Sequence, residues 1–135
     1  MNADLAAQHA LDKFRKSGFD ALTEQEKTLA AVWAIEAKVD NDGFAHFFSH
    51  ALGDLAFHAP QALTAIGALN MAALAAKANQ VFGPGGPPRD KAKRHALVDA
   101  FSEETKKALE NLGNQFLASP DDTDVLLEAY LGKSG

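Results

Sequence analysis

Glu36 is the side chain whose position first suggests chemistry. It falls three residues after Trp33 and four after Val32 in a helical pattern, so it shares their inward-facing side. A carboxylate there needs hydrogen-bond donors or a proton, because an unpaired buried charge is very costly. Two roles stay open: a general acid or base with a raised pKa, or an acceptor for the backbone N–H groups of residues 41–44. We expect the structural role.

His46 and His50 form a second candidate site, because residues four apart on a helix lie on one side of it. Two imidazoles at this spacing can bind zinc, with a further ligand from Asp42, Asp54 or His58. The zincin motif also requires a glutamate directly after the first histidine, which this chain lacks. We therefore predict exposed or hydrogen-bonded histidines, with no metal and no other cofactor.

Four aromatic residues are predicted to lie in the core: Trp33, Phe44, Phe47 and Phe48. A stacking platform for nucleic-acid bases needs interleaved basic residues, and residues 39–76 contain none. The core is therefore the better interpretation of this cluster.

Nucleophilic and basic motifs are equally unpromising. The chain has no cysteine, which excludes disulfides and thiolate chemistry, and no G-x-S-x-G sequence for a serine nucleophile. Lys91, Lys93 and Arg94 form a small basic cluster diluted by nearby acids, so we predict a solvated helix face. No catalytic residue is assigned, and the chain is expected not to be an enzyme.

Charge is distributed unevenly along the 135 residues, although the net charge is only −5. Residues 1–54 carry nine acids and five bases, and residues 108–135 carry five acids and one base. Between them, residues 55–88 contain a single charged side chain. This balance disfavours direct binding of nucleic acid, whose phosphates require clustered Lys and Arg. Solvated helix faces are the simplest interpretation of the acidic ends.

The elements that position these residues are predicted to be helices. Apolar residues at helical spacing, N-cap signals such as Thr23 with Glu26, and poor strand patterns favour an all-α protein. One compact domain of six to eight helices is expected over residues 1–135, because neither side of the Pro/Gly loop at 83–88 holds enough apolar surface to fold alone. The helical signals cover residues 3–16, 23–40, 44–51, 60–67, 71–82, 90–100, 102–117 and 119–132. Asn70 and Ser102 are expected N-caps, Asp90 is expected to begin a helix, and a turn is expected at Gly53.

The segment from Trp33 to Phe48 resembles a bacterial domain-of-unknown-function family named after the C-terminal domain of the DNA mimic protein. Its approximate pattern is W-x-x-E-x-x-V-x-N-G-G-F-x-Q-[FY]-F, followed by an Asn, a Gly and a later I-G-A. The residues that match are Trp33, Glu36, Val39, Asn41, Gly43, Phe44, Phe47, Phe48, Gly53 and Ile66 to Ala68. A final L-L-x-x-Y completes a similarity that covers roughly residues 24–132.

Three departures from that pattern keep a polar side chain: Asp42 for Gly, His46 for Gln and His50 for Asn. The resemblance implies a helical fold and, for the namesake, a protein that presents carboxylates in place of DNA phosphates. Such a mimic occupies a DNA-binding protein and keeps it from its operator.

The leading functional expectation is a non-enzymatic interaction protein, and its specific form is an acidic decoy for a DNA-binding regulator. Its acidic interaction surface would comprise Asp121, Asp122, Asp124 and Glu128, with part of the N-terminal acids. The alternatives are a small enzyme or ligand site around Glu36, Asn41, His46 and His50, and an immunity-type protein that neutralises a toxin.

A homodimer through the uncharged middle is a further expectation. Residues 1–4 lack signal-peptide features, so a cytoplasmic location is expected.

Overall fold

A computed structural model describes residues 2–134 and places seven α-helices there, with no β-strand among those residues. The all-α prediction and the predicted helix number are therefore confirmed for the described part of the chain. Met1 and Gly135, the ends of the predicted domain, lie outside it. The helices are α1 (Ala3–Ser17), α2 (Glu24–Ser49), α3 (Ala59–Ala65), α4 (Leu69–Asn79), α5 (Lys91–Ala100), α6 (Glu103–Leu117) and α7 (Thr123–Ser134). Three 3-10 segments, Phe19–Ala21, Ala51–His58 and Gln80–Phe82, complete the described fold.

Helix α2 is the centre of the fold and packs against α1, α3, α5, α6 and α7. Its start is fixed by the predicted capping box: the Glu26 N–H donates to Thr23 Oγ1 at 3.1 Å, and the Thr23 N–H donates to Glu26 Oε1 at 2.9 Å. Because these helices cover α2 along its length, they determine which of its side chains reach the surface.

A kink at Gly43 divides α2 where the sequence predicted two separate helices and a turn. Gly43 has φ 84° and ψ 174°, a conformation that favours glycine, while the residues on both sides stay helical. Gly113 on α6 passes beside it, since a Cβ on Gly113 would lie 3.9 Å from the Gly43 Cα. The kink therefore redirects the chain without a loop.

The aromatic core is confirmed for three of its four predicted members. Phe44, Phe47 and Phe48 are at most 1% exposed, and Phe44 meets Phe116 of α6 edge to face at 5.6 Å. Trp33 differs: it is only partly buried at the margin of the core. Its side chain therefore contributes to the surface as well as to the core.

The prediction that Lys91, Lys93 and Arg94 form a solvated basic face is wrong for Arg94. Lys91 and Lys93 are exposed, but Arg94 is fully buried. Its guanidinium donates hydrogen bonds of 2.7–3.0 Å to four backbone carbonyls, those of Phe48, His50, Pro88 and Arg89. It thereby ties the end of α2, where carbonyls carry partial negative charge, to the segment that precedes α5.

Asp54 balances the charge of Arg94. Its Oδ1 lies 2.8 Å from the Arg94 Nη1, whose two N–H bonds already point at the carbonyls of Pro88 and Arg89. The contact is therefore ionic, without an N–H aimed at that oxygen. The buried charge of Arg94, at the connection between α2 and α5, is therefore paired with a partly exposed carboxylate.

Several helix ends agree with the sequence and others do not. Asp90 and Ser102 are N-caps as predicted, with side-chain oxygens 3.0 and 3.1 Å from the N–H groups three residues later. Asn70 was expected to cap α4 but lies inside it. The segment Ala51–His58 is a 3-10 helix where a turn at Gly53 was expected. In the described chain, no helix combines the length and apolar character that a membrane crossing requires.

Candidate functional site: an acidic face

Glu36 accepts a hydrogen bond from the hydroxyl of Thr123, at the start of α7. The expected donors, the N–H groups of residues 41–44, are not its partners, so that prediction is wrong. Partial burial raises the pKa of Glu36, the bond from Thr123 opposes this shift, and the negative charges of Asp40, Asp124 and Asp4 add to it. Glu36 is therefore surrounded by other carboxylates.

Two surface depressions share these carboxylates. One, of about 360 Å³, is lined by Glu36, Asp40 and Asp124 together with the acids at 121 and 122. The other, of about 270 Å³, is lined by the same three residues and by Asp4 and Trp33. Among the described residues that line the two depressions, none is Lys or Arg. The carboxylates consequently form a continuous acidic surface.

We call this surface the acidic face and define it by seven residues: Asp4, Glu36, Asp40, Asp121, Asp122, Asp124 and Glu128. Helices α1, α2 and α7 and the segment before α7 supply them. Three of the four acids that the sequence singled out near the C-terminus, Asp121, Asp122 and Asp124, thus line a depression with Glu36 and Asp40, while Glu128 lies at the start of α1, next to Asp4.

Three members of the acidic face also stabilise helix starts. Asp121 Oδ2 accepts from the Met71 N–H at 3.0 Å in the first turn of α4, and Glu128 Oε1 accepts from the Ala3 N–H at 3.0 Å in the first turn of α1. Asp122 accepts from the N–H three residues later, at 3.3 Å. These are orphan donors of helix N-termini, so the three carboxylates are fixed in position by the fold.

The other aspartates of the face are not used in this way. Asp4, Asp40 and Asp124 are exposed, and within the described chain their carboxylates make no side-chain hydrogen bond or ion pair. Partial desolvation raises the pKa of Asp40. Their charges are therefore available to a partner.

Of the remaining motif residues, Asn41 lines one depression together with Glu36, whereas His46 and His50 do not. His46 Nε2 is 3.6 Å from Asp42 Oδ2, and its ring centre is 5.7 Å from that of His50. His50 Nδ1 accepts from the Leu52 N–H at 3.0 Å. Asn41 lines the depression that contains Trp33 and donates to a carbonyl of its own helix at 2.7 Å, whereas His50 lines a different cavity. The four residues of the alternative site do not converge on one depression.

Residues 2–134 contain no cluster of three or more His, Asp or Glu side chains arranged to hold a metal ion. Neighbouring carboxylates on the acidic face therefore stand as separate negative charges on a surface. Such an array can attract a basic protein groove but has no preset cation position.

Sequence reasoning expected part of the N-terminal acids in this surface but did not identify them as Asp4 and Asp40, and it missed the hydrogen bond from Thr123 to Glu36. A signal for Asp40 was present, because it follows Glu36 by four residues and so lies one helical turn further on. Thr123 and Asp4 join Glu36 only through the packing of α1 and α7 on α2. Their contribution could not be deduced from local spacing.

Among curated proteins and solved structures, none matches this chain. A family model described as DMP19-like protein matches residues 20–134, which spans α2 to α7 and slightly exceeds the 24–132 region that the sequence indicated. The match covers well over half of the 135 residues. The chain belongs to the DMP19-like protein family.

Proposed function

We propose that the protein is a non-enzymatic interaction module whose acidic face takes the place of DNA phosphates on a DNA-binding protein. The observation that carries this proposal is the clustering of six carboxylates, from three helices and one connecting segment, around two depressions that have no basic residue among their described lining. The seventh, Glu128, lies at the adjacent start of α1, where it accepts from the Ala3 N–H. Family membership supports it, since the namesake is a DNA mimic.

The modest net charge is compatible with this function because the charge is concentrated. The acidic face alone carries seven formal negative charges, more than the chain's net charge of −5, so the other residues are slightly basic together. A partner that approaches the face meets a far stronger field than the average suggests. Local charge, and not total charge, is what a phosphate-binding groove recognises.

Rigidity is the second requirement of a mimic, and the helix caps provide it. Asp121, Asp122 and Glu128 are held by backbone N–H groups, and Glu36 is held by Thr123. Carboxylates fixed in this way lose little conformational entropy when they meet a partner's Lys and Arg side chains. Asp4, Asp40 and Asp124 then add exposed charge around this fixed frame.

A capture experiment from lysate of the source cells tests the proposal. The tagged chain is used as bait, and captured proteins are identified by mass spectrometry with and without competing duplex DNA and at low and high salt. We expect a DNA-binding protein that duplex DNA displaces and that salt releases, because opposed charges are screened. A captured partner that is indifferent to DNA would contradict the mimic and favour the immunity-type alternative.

A further inference from the structure

A cavity of about 480 Å³ opens between the C-terminal end of α1 and the start of the 3-10 segment Ala51–His58. The described residues that line it are all different from those of the acidic face. Phe14, Phe19 and Leu52 provide apolar walls, and Arg15, Arg89 and His50 provide polar groups. Its volume falls within the range of about 300–1,000 Å³ that is usual for small-molecule sites.

The guanidinium of Arg89 is held at this cavity by two aromatic rings. Its Cζ lies 4.5 Å from the ring centre of Phe57 and 5.1 Å from that of Phe19. These cation–π contacts restrict an otherwise exposed side chain. The backbone carbonyl of Arg89 also accepts a hydrogen bond from the buried Arg94, which fixes the chain at this point. The positive charge is therefore positioned before any ligand arrives.

His50 supplies a donor whose tautomer is fixed. Its Nδ1 accepts the Leu52 N–H at 3.0 Å, so in the neutral ring the proton resides on Nε2. Burial lowers the pKa of His50, and the positive charges of Lys38, His46, Lys91 and Arg15 lower it further. A neutral imidazole with one N–H donor thus stands in positively charged surroundings.

The balance of charge at the cavity is positive. Asp54 also lines it, but the adjacent buried Arg94 neutralises that carboxylate at 2.8 Å. Within the described residues, the ion pair of Arg15 is with the exposed Asp12, at 3.5 Å, and such surface pairs are weak. Arg15 and Arg89 therefore remain in excess, in a protein whose net charge is −5. The cavity disfavours cations and favours an anion.

We propose that this cavity binds a small aromatic carboxylate. The flat ring of the ligand packs against Phe14 and Phe19, and its carboxylate meets Arg15, Arg89 and the Nε2–H of His50. Guanidinium groups suit carboxylates because their N–H donors match the two oxygens. The apolar walls select for the ring, since an inorganic anion would leave them wet.

Amide chemical shifts of the isotope-labelled full-length chain test the proposal with benzoate as the probe. Benzamide is the matched neutral probe, because it has nearly the same shape without the charge. We expect benzoate to produce saturable shifts at Gly18 and Leu52, which line the cavity, with benzamide at least about tenfold weaker. The double variant Arg15→Gln/Arg89→Gln should weaken benzoate binding by about tenfold or more.

The double variant Lys93→Gln/Lys107→Gln is the control, because it removes the same charge from exposed residues elsewhere and should retain the wild-type affinity. Both arginines are exposed, so the spectrum away from the cavity should show an intact fold. Equal binding of benzoate and benzamide would overturn the proposal. So would wild-type affinity in the arginine variant, or no saturable shift up to about 10 mM benzoate.

Discussion

The hydroxyl of Thr123 donates a hydrogen bond to the carboxylate of Glu36, across 87 residues of sequence. This contact joins the central helix α2 to the first residue of α7 and sets one of the fixed charges of the acidic face. Around it, Asp4, Asp40 and Asp124 raise the pKa of Glu36 in addition to the larger effect of burial. The carboxylates of this surface repel one another, and a positively charged partner would relieve that repulsion.

Glu36→Gln should leave stability at neutral pH unchanged or raise it by up to about 1 kcal/mol. The amide oxygen still accepts from Thr123, while the penalty for a half-buried charge disappears. Because the folded-state pKa of Glu36 lies above the ordinary value of 4.5, the native state binds more protons between the two. Wild-type stability should therefore rise relative to the variant as pH falls through the folded pKa toward 4.5.

Urea unfolding of both proteins at neutral and mildly acidic pH measures this difference. Both proteins retain Thr123 and its hydrogen bond to residue 36, so the comparison isolates the effect of the carboxylate charge. A stability difference between the two proteins that does not vary with pH would show that Glu36 has an ordinary pKa in the folded state.

Asp121→Ala should destabilise the protein by about 1 kcal/mol, because it leaves the Met71 N–H of α4 without its acceptor. Asp124→Ala is the matched control, three residues away and without a side-chain hydrogen bond in the described chain. Its expected effect is within about 0.5 kcal/mol. Equal losses in thermal or urea unfolding would mean that the division into capping and available carboxylates is incorrect.

Arg94→Lys should cost about 2–4 kcal/mol in the free energy of unfolding, because a lost hydrogen bond that leaves a buried polar group unsatisfied costs about 1–3 kcal/mol. An ammonium group cannot reach the four carbonyls that the planar guanidinium contacts, and Asp54 loses its close partner. The neighbouring exposed Lys93→Ala should change stability by no more than about 0.5 kcal/mol. A lysine variant as stable as the wild type would contradict the structural role assigned to the buried guanidinium of Arg94.

Gly53→Ala should also destabilise the protein, by about 1–3 kcal/mol as for other overpacked interior sites. A Cβ there would lie 2.4 Å from the Phe47 carbonyl oxygen and 3.0 Å from the Arg94 Nη2, so the backbone or the guanidinium must move. Gly132→Ala, in α7 with open space around the added methyl, should instead stabilise by up to about 1 kcal/mol. In thermal unfolding, Gly53→Ala should lower the midpoint temperature and Gly132→Ala should raise it or leave it unchanged.

The features that the sequence predicted well are those set by residues close along the chain. The Thr23–Glu26 box and the caps at Asp90 and Ser102 all involve a side chain and a backbone group three residues apart. The periodic apolar residues of α2 identified the core side of that helix for the same reason. Local geometry is enough for such contacts.

Features decided by distant residues could not be predicted in this way. Arg94 was assigned to solvent because its carbonyl partners at Phe48 and His50 lie more than 40 residues earlier. Glu36 was paired with the nearest free N–H groups, whereas tertiary packing supplies Thr123 instead. The candidate site shows the same limit: the acids at 121–128 form a cluster in sequence, but only the packing of α1 and α7 on α2 brings Asp4 and these acids to Glu36 and Asp40.

The most direct test of the acidic face compares three baits in the same capture experiment. The test bait carries Asp4→Asn, Asp40→Asn and Asp124→Asn, which removes three available charges and no helix-capping hydrogen bond. The control bait carries Asp20→Asn, Glu103→Gln and Glu104→Gln, which removes the same charge from exposed positions. Glu103 and Glu104 lie in the first turn of α6, which matches the first-turn positions of Asp4 in α1 and Asp124 in α7. Unfolding curves establish that all three baits are folded.

The quantity measured is the amount of DNA-binding protein that each bait recovers and that duplex DNA displaces. We predict that the test bait recovers less than about one-tenth of the wild-type amount. The reason is that a close charge pair across an interface can contribute about 1.5 kcal/mol or more, which corresponds to about tenfold in affinity. The control bait should recover the wild-type amount. Undiminished recovery by the test bait, or equal losses in both variants, would contradict the assignment of the acidic face as the binding surface.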